Sequence, residues 1–184
     1  VAALILAAAK ECKMPDDIFA HVYGASFQVG ESLVKHPLTK AVGFTGSYQG
    51  GKQLFDWGNQ RAEPIPVFAE MGSINPVFLL PGKLKTDAAA VAKMFAASVT
   101  LGVGQFCTNP GLVIGIEGEH LEQFIAAAGA EISHFTPAKM LHAGIAKAYE
   151  GKKQKALSQQ EVIMVAEGAI AEFDDCGTAA LATV

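Results

Sequence analysis

With 184 residues, 51% of them hydrophobic and 17% charged, the chain carries enough apolar side chain to bury a core, which excludes intrinsic disorder and points to one domain or two small lobes. Fourteen basic against eighteen acidic residues leave a net charge of −4 with no basic run, which argues against a nucleic-acid footprint. Cys12, Cys107 and Cys176 are odd in number, widely spaced and free of any CxxC or histidine cluster, so neither a disulfide framework nor a metal site is indicated and a reducing cytoplasm fits.

The most apolar stretch, residues 1–9, is shorter than the roughly 20 residues of a membrane span and lacks the basic start of a signal peptide. It reads as the opening of a buried helix over Val1–Lys13, stopped by Pro15. Phe19–Tyr23 reads as a short strand, and Gly24 and Gly30 as a loop feeding a short helix, Glu31–His36, closed by Pro37. A strand at Ala41–Thr45, a glycine-rich turn at Gly46–Gly51 and a helix over Lys52–Gln60 follow, with Leu54, Phe55 and Trp57 as its buried side. Next come two apolar runs, Ile65–Ala69 and Pro76–Leu80. Strands alternating with helices predict an α/β fold, a partial Rossmann-like parallel sheet covered by helices on both faces. The turn at Pro81–Lys83 divides residues 1–81 from residues 82–184. Beyond it, Thr86 reads as the N-cap of a long helix from Ala88 to Leu101, with Val91, Met94, Phe95 and Val99 on one face. Gly102–Gly104 breaks that helix. Leu112–Ile116 reads as a strand, His120–Ala130 as a helix, and Thr136–Tyr149 as another with Thr136 as N-cap and Pro137 at N1. Lys152, Lys153 and Lys155 read as a solvated surface, and Glu161–Ala166 as the last clear strand. The chain opens in mid-helix pattern and closes without a stop signal, as expected of a piece of something longer.

Three segments carry candidate chemistry. Phe44–Gly51 lies between a strand and a helix, where backbone amides and glycines suit a phosphate or pyrophosphate. The plain alternative is a tight turn. Gly46 to Lys52 also satisfy part of a P-loop pattern, but Gln53 stands where that loop needs Ser or Thr for magnesium. The second segment places Glu70 at the end of an apolar strand before Gly72. Partial desolvation there makes a carboxylate a better general base near neutral pH, whereas the bland reading is a capping or solvated Glu. In the third, Cys107 follows the helix break among glycines. Backbone donors there can serve both its sulfur and an oxyanion beside it, although a lone Cys is usually a small buried hydrophobe.

In this order, the phosphate turn, the Glu-x-Gly strand end and the Gly-Gln-x-Cys loop resemble the aldehyde dehydrogenase superfamily. Residues 70–78, EMGSINPVF, and 104–112, GQFCTNPGL, look most like its α-ketoglutaric semialdehyde dehydrogenase group, with an NADP-dependent fatty aldehyde dehydrogenase close by. Most of the superfamily has two glycines after the Glu-Leu pair. Here Gly72 is followed by Ser73.

The resemblance implies an NAD(P)-dependent oxidation of an aldehyde to a carboxylic acid. Cys107 is implied as nucleophile, passing through a thiohemiacetal and a thioester, with the Cys107 backbone amide as half of an oxyanion hole and Glu70 activating the hydrolytic water. It further implies that Gly46, Ser47, Gly50 and Gly51 hold the pyrophosphate of NADP or NAD, with Gly24 and Gly30 near the adenosine and Gly72 also in the cofactor site. Phe106 is a candidate wall of the aldehyde tunnel or simple core packing. Residues 1–81 then correspond to the second half of a cofactor domain and 82–184 to the first part of a catalytic one. The Asn completing the oxyanion hole, the ribose-gripping Lys and the Glu-x-Phe-Gly-Pro segment are expected outside this chain, which alone is expected to have little activity. The expected partner is a small-molecule aldehyde, with no nucleic acid, membrane or metal, and the parent protein is expected to be a homo-oligomer. The competing classes are a P-loop-like nucleotide binder and a non-catalytic remnant.

Overall fold

The computed structural model describes residues 1–24 and 26–184; Ala25, within the expected Gly24–Gly30 loop, lies outside them. The chain divides into two compact units, Val1–Gly72 and Ser73–Val184.

In the first unit, β1 (Val42–Thr45) and β2 (Val67–Glu70) form a parallel pair, in register from Val42 opposite Val67 to Thr45 opposite Glu70. A parallel pair needs a crossover, and here it is α3 (Tyr48–Asn59). Alternation along each strand half-buries Val42, Phe44, Val67 and Ala69 and leaves Gly43, Thr45, Phe68 and Glu70 exposed, so the pair is not covered on both faces. The helix comes close to β2 because it presents glycines. A Cβ on Gly51 would lie 2.7 Å from Met71 Cγ and 3.2 Å from Ala69 Cβ, and one on Gly58 would lie 2.6 Å from Val67 Cγ2. Both glycines are buried, whereas Phe55, expected on the buried side, is exposed; small residues set the helix–strand distance, and the bulkier side chain is left outside.

The helix α2 (Phe27–Lys35) packs against α3. Arg61 Nη1 donates to the Val34 carbonyl at 2.6 Å, and Lys35 Nζ lies 5.9 Å from the Trp57 ring centre. Because α2 starts at Phe27, Gly30 is helical and not part of a loop. Phe19–Tyr23 forms no strand: among the described residues β1 and β2 pair only with each other, and a short apolar run without a neighbour has no ladder to join. The helix α1 (Ala2–Glu11) forms as expected, but none of its residues is buried. Its alanines and leucines supply helix propensity without burial.

In the second unit, β3 (Pro76–Leu79) and β4 (Leu112–Gly115) form another parallel pair, with Pro76 opposite Leu112 and Leu79 opposite Gly115, and α4 (Pro81–Thr100) crosses between them. The helix begins at Pro81, where a missing N–H costs nothing, so Pro81–Lys83 is a helical turn. Thr86 does not cap it; its hydroxyl donates to the Lys83 carbonyl at 3.0 Å. The expected start at Ala88 instead follows a kink at Asp87 (φ −160°, ψ 34°). Leu84, Ala88, Ala92 and Ala96 form its buried stripe, and Met94 is exposed. With the turn that follows, this helix is long and apolar enough to cross a membrane on length and composition alone, yet here its apolar side packs on α5 (Glu119–Ser133). Leu79, Leu84, Ala88, Ala92, Phe124 and Ala128 make the core, and the Phe95 and Phe124 rings meet at 5.8 Å and 57°.

Two antiparallel pairs follow. β5 (Ala138–Lys139) pairs with β7 (Cys176–Gly177), and β6 (Ile163–Glu167) with β8 (Ala180–Thr183) through an irregularity between Met164 and Ala166. The expected helix over Thr136–Tyr149 is therefore displaced: pairing with residues 176–177 takes Ala138 and Lys139 into a strand, and α6 runs from Ala143 to Leu157 with His142 as N-cap. Lys153 on α6 is not solvated. Its side chain is 9% exposed, paired with Glu150 at 2.7 Å and with Glu167 of β6, and its Nζ lies 5.8 Å from the Tyr149 ring centre.

Candidate active site

In the first unit the site is built on the β1–α3 turn and the end of β2. Ser47 caps α3, its hydroxyl accepting from Gly50 N at 3.1 Å, while Gly51 N donates to the Ser47 carbonyl at 2.9 Å. The Tyr48 and Gln49 amides precede these and have no acceptor within a helix by construction. A Cβ on Gly46 would lie 2.6 Å from Phe44 Cζ, so the glycine lets that ring lie against the turn. The Gly46 amide donates to the Glu70 carbonyl at 3.0 Å, joining the turn to the strand end. Glu70 itself is exposed, so the partial desolvation expected of it is not found.

The positions expected to hold a cofactor differ in what surrounds them. Gly46, Ser47 and the first amides of α3 form an exposed, amide-lined helix start, which fits a pyrophosphate. Gly50 has committed its amide to the cap, and Gly51 is buried against β2. A Cβ on Gly24 would strike Val29 Cγ2 at 2.3 Å, while Gly30 and Gly72 face open space. Lys52 is bound to Asp56 one turn along at 2.5 Å, and the helix already runs at Gly50. A P-loop lysine faces the phosphates from a longer loop, so neither feature suits that reading.

In the second unit, α4 ends in a turn where Gly102, Val103 and Gly104 all have positive φ (58°, 58° and 72°). This reverses the chain and presents Cys107, which is exposed. A Cβ on Gly102 would lie 2.5 Å from the Phe106 ring, so the ring folds over that glycine. Phe106 is 52% exposed. The turn is pinned by side chains. Gln105 Nε2 donates to the Gly102 carbonyl at 3.0 Å, and its Oε1 accepts from Leu141 N at 3.0 Å. Asn109 Nδ2 donates to the Val99 carbonyl at 2.9 Å. Ser73 Oγ and Asn75 Nδ2 both donate to the Cys107 carbonyl, Asn75 at 2.8 Å, and Asn75 also reaches the Asn109 carbonyl at 3.1 Å. Sequence reasoning singled out none of these four side chains for such a role. The one available signal was Ser73 itself, a hydroxyl where a glycine is the more common choice.

The chain thus carries an amide-lined helix start in its first unit and a thiol on a fixed turn in its second, and comparison with known proteins is sharper. The model of the aldehyde dehydrogenase family matches residues 1–150, and the chain belongs to that family. It is 44% identical over 170 residues to alpha-ketoglutaric semialdehyde dehydrogenase 2 of Azospirillum brasilense, covering 92% of this chain and 32% of that protein. It is 40% identical over 160 residues to the alpha-ketoglutaric semialdehyde dehydrogenase of Acinetobacter baylyi, covering 87% of this chain and 30% of that protein. Among solved structures, gamma-glutamyl-gamma-aminobutyraldehyde dehydrogenase from Burkholderia cenocepacia superposes with a TM-score of 0.74 at 19% identity, over 90% of this chain and 35% of that one. That likeness confirms the α/β fold. The chain spans about a third of the length of the curated relatives it matches.

Proposed function

We propose that the protein carrying this sequence oxidises an aldehyde to a carboxylic acid with a nicotinamide cofactor, and that residues 1–81 serve the cofactor and residues 82–184 the thiol chemistry. The observation that supports it most directly is the exposed Cys107 thiol on a turn whose backbone is held by Ser73, Asn75, Gln105 and Asn109, in a chain of the aldehyde dehydrogenase family.

Cys107 Sγ adds as thiolate to the aldehyde carbon, and the carbonyl oxygen, now negative, is received by the Cys107 amide. A nicotinamide cofactor, when bound, would supply the hydride acceptor for oxidation of this thiohemiacetal, leaving a thioester on Cys107. Glu70 takes a proton from water, which adds to the thioester carbon; the C–S bond breaks, the acid leaves and the thiolate returns. Gly46, Ser47 and the first amides of α3 hold the pyrophosphate, and Phe106 lines the aldehyde path. The names of the two curated relatives favour α-ketoglutaric semialdehyde as substrate, and likeness to that group favours NADP over NAD. The parent works in a reducing cytoplasm as a homo-oligomer.

The test is reduced-nicotinamide formation by the longest expressible chain bearing this sequence, with NADP or NAD and a panel of semialdehydes and fatty aldehydes. Cys107→Ala is expected to abolish turnover while cofactor binding persists. A folded, cofactor-binding protein that turns over no aldehyde would instead favour a non-catalytic remnant.

A further inference from the structure

The segment that opens β3 and the turn that carries Cys107 are neighbours because of strand register. Pro76 lies opposite Leu112, so residues 73–75 on one side and 107–109 on the other lead into adjacent strands. Two donors from the first segment meet one acceptor in the second: Ser73 Oγ and Asn75 Nδ2 both donate to the Cys107 carbonyl. Asn75 also binds the Asn109 carbonyl, and Asn109 Nδ2 in turn holds the Val99 carbonyl at the end of α4. The thiol-bearing peptide is thus fastened both to the start of β3 and to the helix behind it. We infer that Ser73 and Asn75 are positioning residues that set the reactivity of Cys107 by holding its carbonyl oxygen. The inference rests on Cys107 being the nucleophile.

The physical argument has two parts. A peptide is planar, so fixing the Cys107 oxygen fixes the direction of the Thr108 N–H in the same peptide unit. The carbonyl oxygen is also a concentration of negative charge one residue's backbone away from a sulfur that must become negative. Two donors draw that charge off, and hydrogen bonds in series polarise the peptide so that its N–H becomes a stronger donor. Neither side chain touches substrate in this account. Ser73 is exposed, so shortening it removes the bond and leaves packing intact.

The test compares Ser73→Ala, Ser73→Thr and Asn75→Ala in the longest expressible chain. Two readouts are taken: the rate of iodoacetamide alkylation at Cys107, followed by peptide mapping across the range of thiol ionisation, and turnover with aldehyde and cofactor. Ser73→Ala is expected to slow alkylation near neutral pH, to move its pH midpoint upward and to lower kcat about fivefold, the weight of one hydrogen bond. KM for the cofactor is expected to stay as it was. Ser73→Thr restores the hydroxyl and is expected to restore both readouts, and Asn75→Ala, which loses two bonds, to exceed Ser73→Ala. An alkylation profile and kcat unchanged in Ser73→Ala would overturn the inference. If the unsubstituted protein shows no Cys107-dependent turnover, the catalytic reading falls, and the alkylation profile still decides whether the carbonyl contact governs the thiol.

Discussion

Lys153 stands in a run of lysines, the pattern of a solvated surface, yet its ammonium ends between Glu150 and Glu167 over the face of Tyr149. Burial alone would push the ammonium down, but its bonds to the two carboxylates outweigh that and hold it above its ordinary value of 10.5. The bond from Lys153, followed by one from Gln154, holds Glu150 below its ordinary 4.5. A raised lysine stabilises the fold below its unfolded value and is lost as pH rises through its folded one; a lowered carboxylate stabilises above its unfolded value and is lost as pH falls through its folded one. The interaction is therefore complete between about 4.5 and 10.5. Lys153→Met is expected to cost about 1–2 kcal/mol in that window, since the carboxylates are partly solvated. The gap to the unsubstituted protein should close as the medium is acidified below it, as read from urea unfolding midpoints. Equal gaps at neutral and strongly acidic pH would show that packing of the lysine stem carries the effect. Nearby, burial pushes the Tyr149 phenol above its ordinary 10.0, and its hydroxyl donates to the Thr178 carbonyl at 2.8 Å.

At the scale of elements, the reversal after α4 depends on three consecutive residues with positive φ, and the middle one is Val103. A β-branched side chain is poorly suited to that region. Val103→Gly is expected to raise stability by about 0.5–1 kcal/mol, about half of the strain relief being offset by glycine's greater freedom in the unfolded chain; a loss in the unfolding midpoint would mean that the valine side chain is packed to advantage. Both strand–helix–strand units were legible in the sequence. Apolar runs such as Pro76–Leu79, punctuated by glycine and proline, are local signals, and Gly46 marks its turn without reference to anything distant. The antiparallel pairings were not legible, although β6 falls where a strand over Glu161–Ala166 is expected. Strands of two residues such as Ala138–Lys139 and Cys176–Gly177 carry no periodicity, and each exists only because the other is there. For the same reason Thr136 and Pro137 read as a helix start that tertiary pairing overrides. The motifs around Cys107 and Glu70 stand out in the sequence, but the bonds of Ser73 and Asn75 to the Cys107 carbonyl do not, since they follow from strand register and not from neighbouring letters.

At the scale of the whole molecule, among the described residues helices cover one face of each parallel pair and leave the other exposed. On β3 and β4 the open face carries Pro76, Phe78, Leu112 and Ile114, flanked by Leu80 and Ile116, all exposed. A contiguous apolar surface of this kind recruits hydrophobic probes. The 184-residue chain by itself is expected to enhance the fluorescence of an anilinonaphthalene dye, and Phe78→Ser with Ile114→Ser to reduce that enhancement without altering the far-ultraviolet circular dichroism; dye binding insensitive to both changes would place the sticky surface elsewhere. The order of the strands bears on how the chain is made. β1 pairs with β2 and β3 with β4, each with no other strand between them, so each of these units can close as soon as its own residues have left the ribosome. The last two pairings interleave, β5 with β7 and β6 with β8, and each waits for a partner strand that follows a whole intervening element. The two parallel units can thus close earlier in synthesis than the antiparallel pairs, which need residues 176–183 to have emerged.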